Sequence, residues 1–138
     1  MTAIMSDPPS ARLARFAGAA LPGAFGWLAA AMLVAVGVSY LSGPQRSSSA
    51  MFGLPAVTRA ERAFLATKAV RDLGLGLVTA ILLARRDPKA AGAALAVGVA
   101  GPALDGALLT AIRGPRAQLG VHWGAAALMG AAARGLLR

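Results

Sequence analysis

Apolar residues in this chain collect into four long runs separated by short polar breaks. The first extends from about Phe16 to Leu41, interrupted only by Gly18, Pro22-Gly23, Gly26 and Gly37. The others cover about 59–84, 90–112 and 117–137. A helix crosses the hydrocarbon core of a bilayer with roughly 20 residues, so each run is long enough. The pattern predicts an all-α fold, a transmembrane four-helix bundle, preceded by a disordered N-terminal arm over residues 1–15. The first run is longer than the roughly 7–15 apolar residues of a signal peptide and reads as a retained span.

The breaks carry recognisable start and stop signals. Residues 42–58 hold Gly43-Pro44, Ser47-Ser48-Ser49 and Gly53-Leu54-Pro55, the longest connection. Thr58 followed by Glu61 is a capping-box pattern that starts a helix near Arg59. The second run stops at Arg85-Arg86-Asp87-Pro88, a basic pair followed by proline. Pro102, inside the third run, clashes with the carbonyl four residues back, which predicts a kink near Gly98. Gly114-Pro115 makes the last turn. Gly120 and Gly124 stand at GxxxG spacing in the fourth run, where packing within the bundle is the default reading. A homo-oligomer stays open.

Composition agrees with this layout. Of 138 residues 57% are hydrophobic and 14% charged, against about a quarter charged in soluble domains. The net charge of +9 would suggest nucleic acid, but the bases stand at the ends of the runs and only seven aromatic residues exist. Anchoring at the headgroups of the lipid bilayer explains them, and no nucleic-acid partner is expected. Seven bases (Arg12, Arg15, Arg85, Arg86, Lys89, Arg134, Arg138) flank one face and five (Arg46, Arg59, Arg62, Arg113, Arg116) the other. That bias predicts a multi-pass protein of the plasma or inner membrane with both termini cytoplasmic. There is no cysteine, which excludes disulfides, thiolate metal sites and thiol nucleophiles.

The informative residues are the ionisable ones inside the runs. Lys68, Arg71 and Asp72 lie in the second, where each costs about 2.5–3.5 kcal/mol at mid-helix. Spacings of three and four put them near one face and suggest that Lys68 pairs with Asp72. Asp105 is the sole acid of the third run and His122 the only histidine of the chain. At 1.5 Å per residue, Asp72 lies roughly 20 Å from Arg85 and Asp105 about 12 Å from Arg113. His122 lies about 9 Å from Arg116 on the same scale. The runs alternate direction, yet these residues gather in the half facing the first and third loops. Tyr40 shares that side and reads first as an interfacial anchor.

The candidate ligand-binding set is therefore Lys68, Arg71, Asp72, Asp105, His122 and Tyr40. A metal held by Asp72, Asp105 and His122 is set aside because Lys68 and Arg71 already neutralise the acids. No cofactor is expected.

The Phe52-Gly53-Leu54-Pro55 loop, the Lys68-x-x-Arg71-Asp72-Leu73-x-Leu75-Gly76 run, Asp105-Gly106 and His122 resemble a family of small bacterial and fungal membrane proteins. That family is a domain of unknown function with a four-helix layout broadly like that of DoxX proteins. The resemblance covers roughly residues 20–135 and implies four spans, but no reaction.

Three functions fit the residues. The leading one is a polar pocket for a small lipophilic, amphiphilic or anionic molecule, since ionisable groups inside a membrane are functional by default. The second is a cofactor-free enzyme transferring a proton on a lipophilic substrate, with Asp105 and His122 as catalytic candidates. The third is an accessory or structural subunit.

Overall fold

A computed structural model describes the backbone of residues 9–138 and the side chains from Leu21 onward. Residues 1–8 of the arm expected over residues 1–15 thus lie outside the described residues, while residues 9–15, expected to be disordered, begin α1. The described chain is all-α, with six helices and no strand: α1 Pro9–Ser42, α2 Pro44–Phe52, α3 Arg59–Ala84, α4 Pro88–Gly98, α5 Ala100–Ala111 and α6 Arg116–Leu136. In packing, α1 lies against α3 and α6, α3 against α4, and α6 against both α4 and α5. The long helices close a ring in the order α1, α3, α4–α5, α6.

Local chemistry accounts for most boundaries. Thr58 accepts a hydrogen bond from the Glu61 N–H at 3.2 Å, while the Glu61 carboxylate accepts from the Thr58 N–H at 2.8 Å. This reciprocal pairing satisfies two N–H groups that a helix start leaves free. Asp87 caps α4 through the Ala90 N–H at 3.0 Å. The ends of α3 and α5 repeat one motif. Arg86 and Arg113 take left-handed φ values of 59° and 55°. The Asp87 and Gly114 N–H groups then reach back to the Leu82 and Leu109 carbonyls. These are Schellman stops in which arginine occupies the position usually given to glycine, and each is followed by a proline, Pro88 or Pro115.

The connection 42–58 is more ordered than its composition suggests. Pro44 begins α2, where a missing N–H costs nothing. Gly53 ends it at φ 73°, and a Cβ there would also stand 2.9 Å from Pro115. At the predicted kink the structure shows only a one-residue interruption, with Val99 keeping helical φ and ψ of −55° and −32°. Val99 separates α4 from α5, because Pro102 offers no N–H to the Gly98 carbonyl. Beyond that break the chain follows α6 rather than α3, so α3 and α5 diverge.

Two apolar clusters fill the ring. One joins Ala29, Leu33, Ala91, Leu95, Met129, Ala132, Ala133 and Leu136, and the other joins Tyr40, Ala56, Leu65 and Ala69. Alanine and glycine bring the backbones close. A Cβ on Gly37 would stand 2.8 Å from the Ala69 carbonyl oxygen, and one on Gly76 would stand 2.9 Å from the Ala30 carbonyl oxygen. The Gly120 and Gly124 pair corrects the expectation of packing within the bundle. Nothing lies within 4 Å of a Cβ at either position.

The apolar faces point outward. Leu21–Ser42 and Pro88–Ala111 are long and apolar enough to cross a membrane, with mean hydropathies of 1.9 and 1.5, yet only 28% and 22% of their windows are buried.

Glycine chemistry gives a paired prediction. Gly37→Ala pushes α1 off α3 and lowers the unfolding temperature. Gly74→Ala, where a Cβ meets nothing within 4 Å, stabilises the helix by about 0.5–1 kcal/mol. Thermal unfolding of both variants in one detergent checks the opposite signs.

Candidate functional site

The six residues singled out in the sequence line one cavity of about 240 Å³ between the two apolar clusters. Four stretches of the ring deliver them. Tyr40 comes from the end of α1, Lys68, Arg71 and Asp72 from the first half of α3, Asp105 from α5 and His122 from the start of α6. Met32, Leu33, Val36, Leu128 and Met129 complete an apolar wall.

The ion pairing differs from the helical-spacing expectation. Lys68 donates to Asp105 across the gap between α3 and α5, not to Asp72 on its own helix. Asp72 is held instead by its neighbour Arg71, whose Nε and Nη2 both donate to Oδ1 at 2.9 and 2.7 Å. The reason is reach. The lysine stem is long enough to bridge the space that the break at Val99 opens, while a guanidinium can fold back on the adjacent carboxylate. Lys68 and Asp72 are buried at 8% and 6% exposure, whereas the Arg71 side chain is half exposed. Each charge thus has a partner, the condition under which ions persist in an apolar interior.

Tyr40 corrects the anchor reading. It is 2% exposed and stacks on Phe52, with ring centroids 6.5 Å apart. Phe52 was not among the candidate site residues, yet it organises the site. It stacks on His122 at 5.0 Å and lies 5.6 Å from the Lys68 ammonium, within cation–π range. The sequence marked it only within the Phe52-Gly53-Leu54-Pro55 stretch of the family resemblance, and does not show that a short helix α2 folds back there.

His122 fixes the place of α2. Its Nε2 lies 3.0 Å from the Met51 carbonyl oxygen, which can only accept, so Nε2 carries the proton and donates. Gln118, one turn earlier on α6, donates to the Ala50 carbonyl at 3.4 Å. Two side chains four residues apart therefore satisfy the last carbonyls of α2, which a helix end leaves without partners. This geometry turns His122 Nδ1 toward Asp105 Oδ2 at 3.7 Å, beyond hydrogen-bond range. The proposed acid–base pair is in contact, but each member is engaged elsewhere.

Several polar atoms of the cavity residues make no hydrogen bond among the described residues. They are the Tyr40 hydroxyl, Arg71 Nη1, Asp72 Oδ2 and Asp105 Oδ1. Together they offer donors and acceptors to a polar group placed in the cavity. No group of three His, Asp or Glu among the described residues is arranged to hold a metal ion.

Residues 30–137 match the family described as Domain of unknown function (DUF4267), and the chain belongs to that family. No curated protein and no solved structure matches it.

His122→Ala strips the Met51 carbonyl of its donor, at a cost of about 1–3 kcal/mol for a buried group. Amide hydrogen exchange in α2 and the Gly53 turn should rise while α4 stays protected, and His122→Gln, which keeps an N–H donor, should recover part of the protection.

Proposed function

We propose that this DUF4267 protein is a four-span membrane protein whose cavity binds a small amphiphilic molecule. The polar head of the ligand faces Arg71 and Lys68, and its apolar body lies against Met32, Leu33, Leu128 and Met129. Asp72 and Asp105 hold the two bases in position. The observation that carries the reading is the set of unused donors and acceptors on residues lining a cavity whose other lining is mostly apolar. Ligand sites have this composition: hydrophobic walls with a few convergent polar groups.

The membrane setting rests on where the apolar surface lies. A core helix of a soluble protein hides its apolar residues, whereas most of each apolar window here is unburied. Val97, Leu104, Phe64 and Ile81, on α3, α4 and α5, are all more than half exposed. Among the described residues only α1 and α4–α5 are long and apolar enough to cross, and α3 is weakened by Lys68, Arg71 and Asp72. Yet α3 packs along α1, and α6 packs on α1, α4 and α5. Helices that share these flanks cross with them, and Lys68 and Asp72 are buried against partners while Arg71, half exposed, is paired with Asp72. The basic residues favour cytoplasmic termini.

Two experiments test this. The chain has no native cysteine, so single cysteines report sidedness directly. Thiol reagents that cannot cross the membrane should label Ser49→Cys and Arg116→Cys from one face and Lys89→Cys from the other. Labelling of all three from one face contradicts four spans. For the ligand, native mass spectrometry of protein released from mild detergent should reveal a bound small molecule that Arg71→Gln loses. Equal retention by Arg71→Gln, with the fold intact, contradicts the assigned role of the polar wall.

A further inference from the structure

The Gly120-x-x-x-Gly124 pair has no packing role in the bundle, and the cavity gives one of its members another use. Gly124 lines the cavity, as do Val121 and Ala125, while Gly120 does not. Val121 and Gly124 are both exposed on the outer surface of α6, and Met32 and Val36 of α1 are only half-buried beside the same space. The contacts between α1 and α6 that close the ring lie further along, where Gly26 meets Leu136 and Gly135 meets Pro22. Toward the cavity the two helices leave a gap floored by small side chains. Gly124 is eight residues past Arg116, about 12 Å along the helix from the start of α6. In a bilayer that depth is hydrocarbon, so the gap opens to lipid rather than to water.

A second observation indicates what this opening serves. Tyr40 is 98% buried, lines the same cavity and makes no side-chain hydrogen bond among the described residues. Among the described residues the fully enclosed polar atoms without a partner are Thr79 Oγ1 and Gln118 Oε1, so the Tyr40 hydroxyl keeps a little open surface on which a group in the cavity can hydrogen-bond.

We infer that the ligand is a membrane-dissolved, single-chain amphiphile that enters sideways between α1 and α6 past Gly124, and that the Tyr40 hydroxyl hydrogen-bonds its head group. This rests on the reading of the cavity as a binding site and adds its ligand class and its route. Glycine at 124 keeps the rim low. Val121 and Ala125 present only short apolar side chains to a passing chain. Apolar lining from Met32, Leu33 and Leu128 leads inward from the rim to the polar wall. Small residues on α6 thus serve access rather than helix dimerisation.

The test uses the full chain in phosphatidylcholine nanodiscs and a decanoic acid probe with a photoreactive diazirine on its chain. After illumination, peptide mass spectrometry reads the labelling of Met32, Leu128 and Met129. Gly124→Trp and Val121→Trp should bring that labelling to background, because each places a bulky ring at the rim in open surroundings. Gly120→Trp, equally open but outside the cavity, should label like the unsubstituted protein. Tyr40→Phe should weaken half-saturation by about fivefold, the weight of one hydrogen bond. Undiminished labelling in both rim variants overturns side entry while leaving the binding reading in place. Loss in Gly120→Trp as well shows that bulk anywhere on α6 is disruptive and also overturns it. Absence of cavity labelling in the unsubstituted protein, with the probe reacting elsewhere, removes the binding reading itself.

Discussion

A charge placed among apolar groups must find its opposite, and in this chain that requirement is met between helices. Lys68 on α3 and Asp105 on α5 are far apart in sequence, and the helices that carry them diverge where they meet. Either residue alone would be an uncompensated ion in an apolar interior, a defect costing about 3–5 kcal/mol. The bond therefore ties α5, which packs on α6, back to α3. It also places the remaining polar groups. Phe52 lies beneath the ammonium, His122 stacks on Phe52, and α2 is fastened through His122 to the start of α6.

The cavity follows from the same arrangement. Pro102 leaves the Gly98 carbonyl without its helical donor, α5 packs on α6 rather than on α3, and the cavity is lined by Lys68, Arg71, Asp72 and Asp105 together with methionine, leucine and valine. A fully packed core would have no use for unengaged donors and acceptors. Here Tyr40, Arg71, Asp72 and Asp105 all line the cavity, and the proposed amphiphile would engage them.

The sequence made some of this legible and hid the rest for definite reasons. Capping at Thr58 and Glu61, the stop after Ala84 and the break near Gly98 are local chemistry, readable from neighbours a few residues apart. The gathering of Lys68, Asp72, Asp105 and His122 was readable from depth, because rise per residue is fixed. Rotation about each helix was not. Spacing of four favours Lys68 with Asp72, but Arg71 reaches Asp72 first and Lys68 spans to α5. Tyr40 has the depth of an interfacial anchor, and only its azimuth turns it inward against Phe52. The helical signal of α2, proline at its first position and glycine just past its end, was present in a stretch whose serines read as loop. The GxxxG spacing was visible, but not that both glycines would stand clear of every neighbouring helix.

The most direct measurement is a double-mutant cycle on the bond between α3 and α5, read as unfolding free energy in one lipid or detergent. Lys68→Met and Asp105→Leu should each destabilise the protein by about 3–5 kcal/mol, and the double variant, with no charge left unpaired, by less than either alone. Losses that simply add would mean that the two residues stabilise the fold independently, and the account built on their bond would not stand.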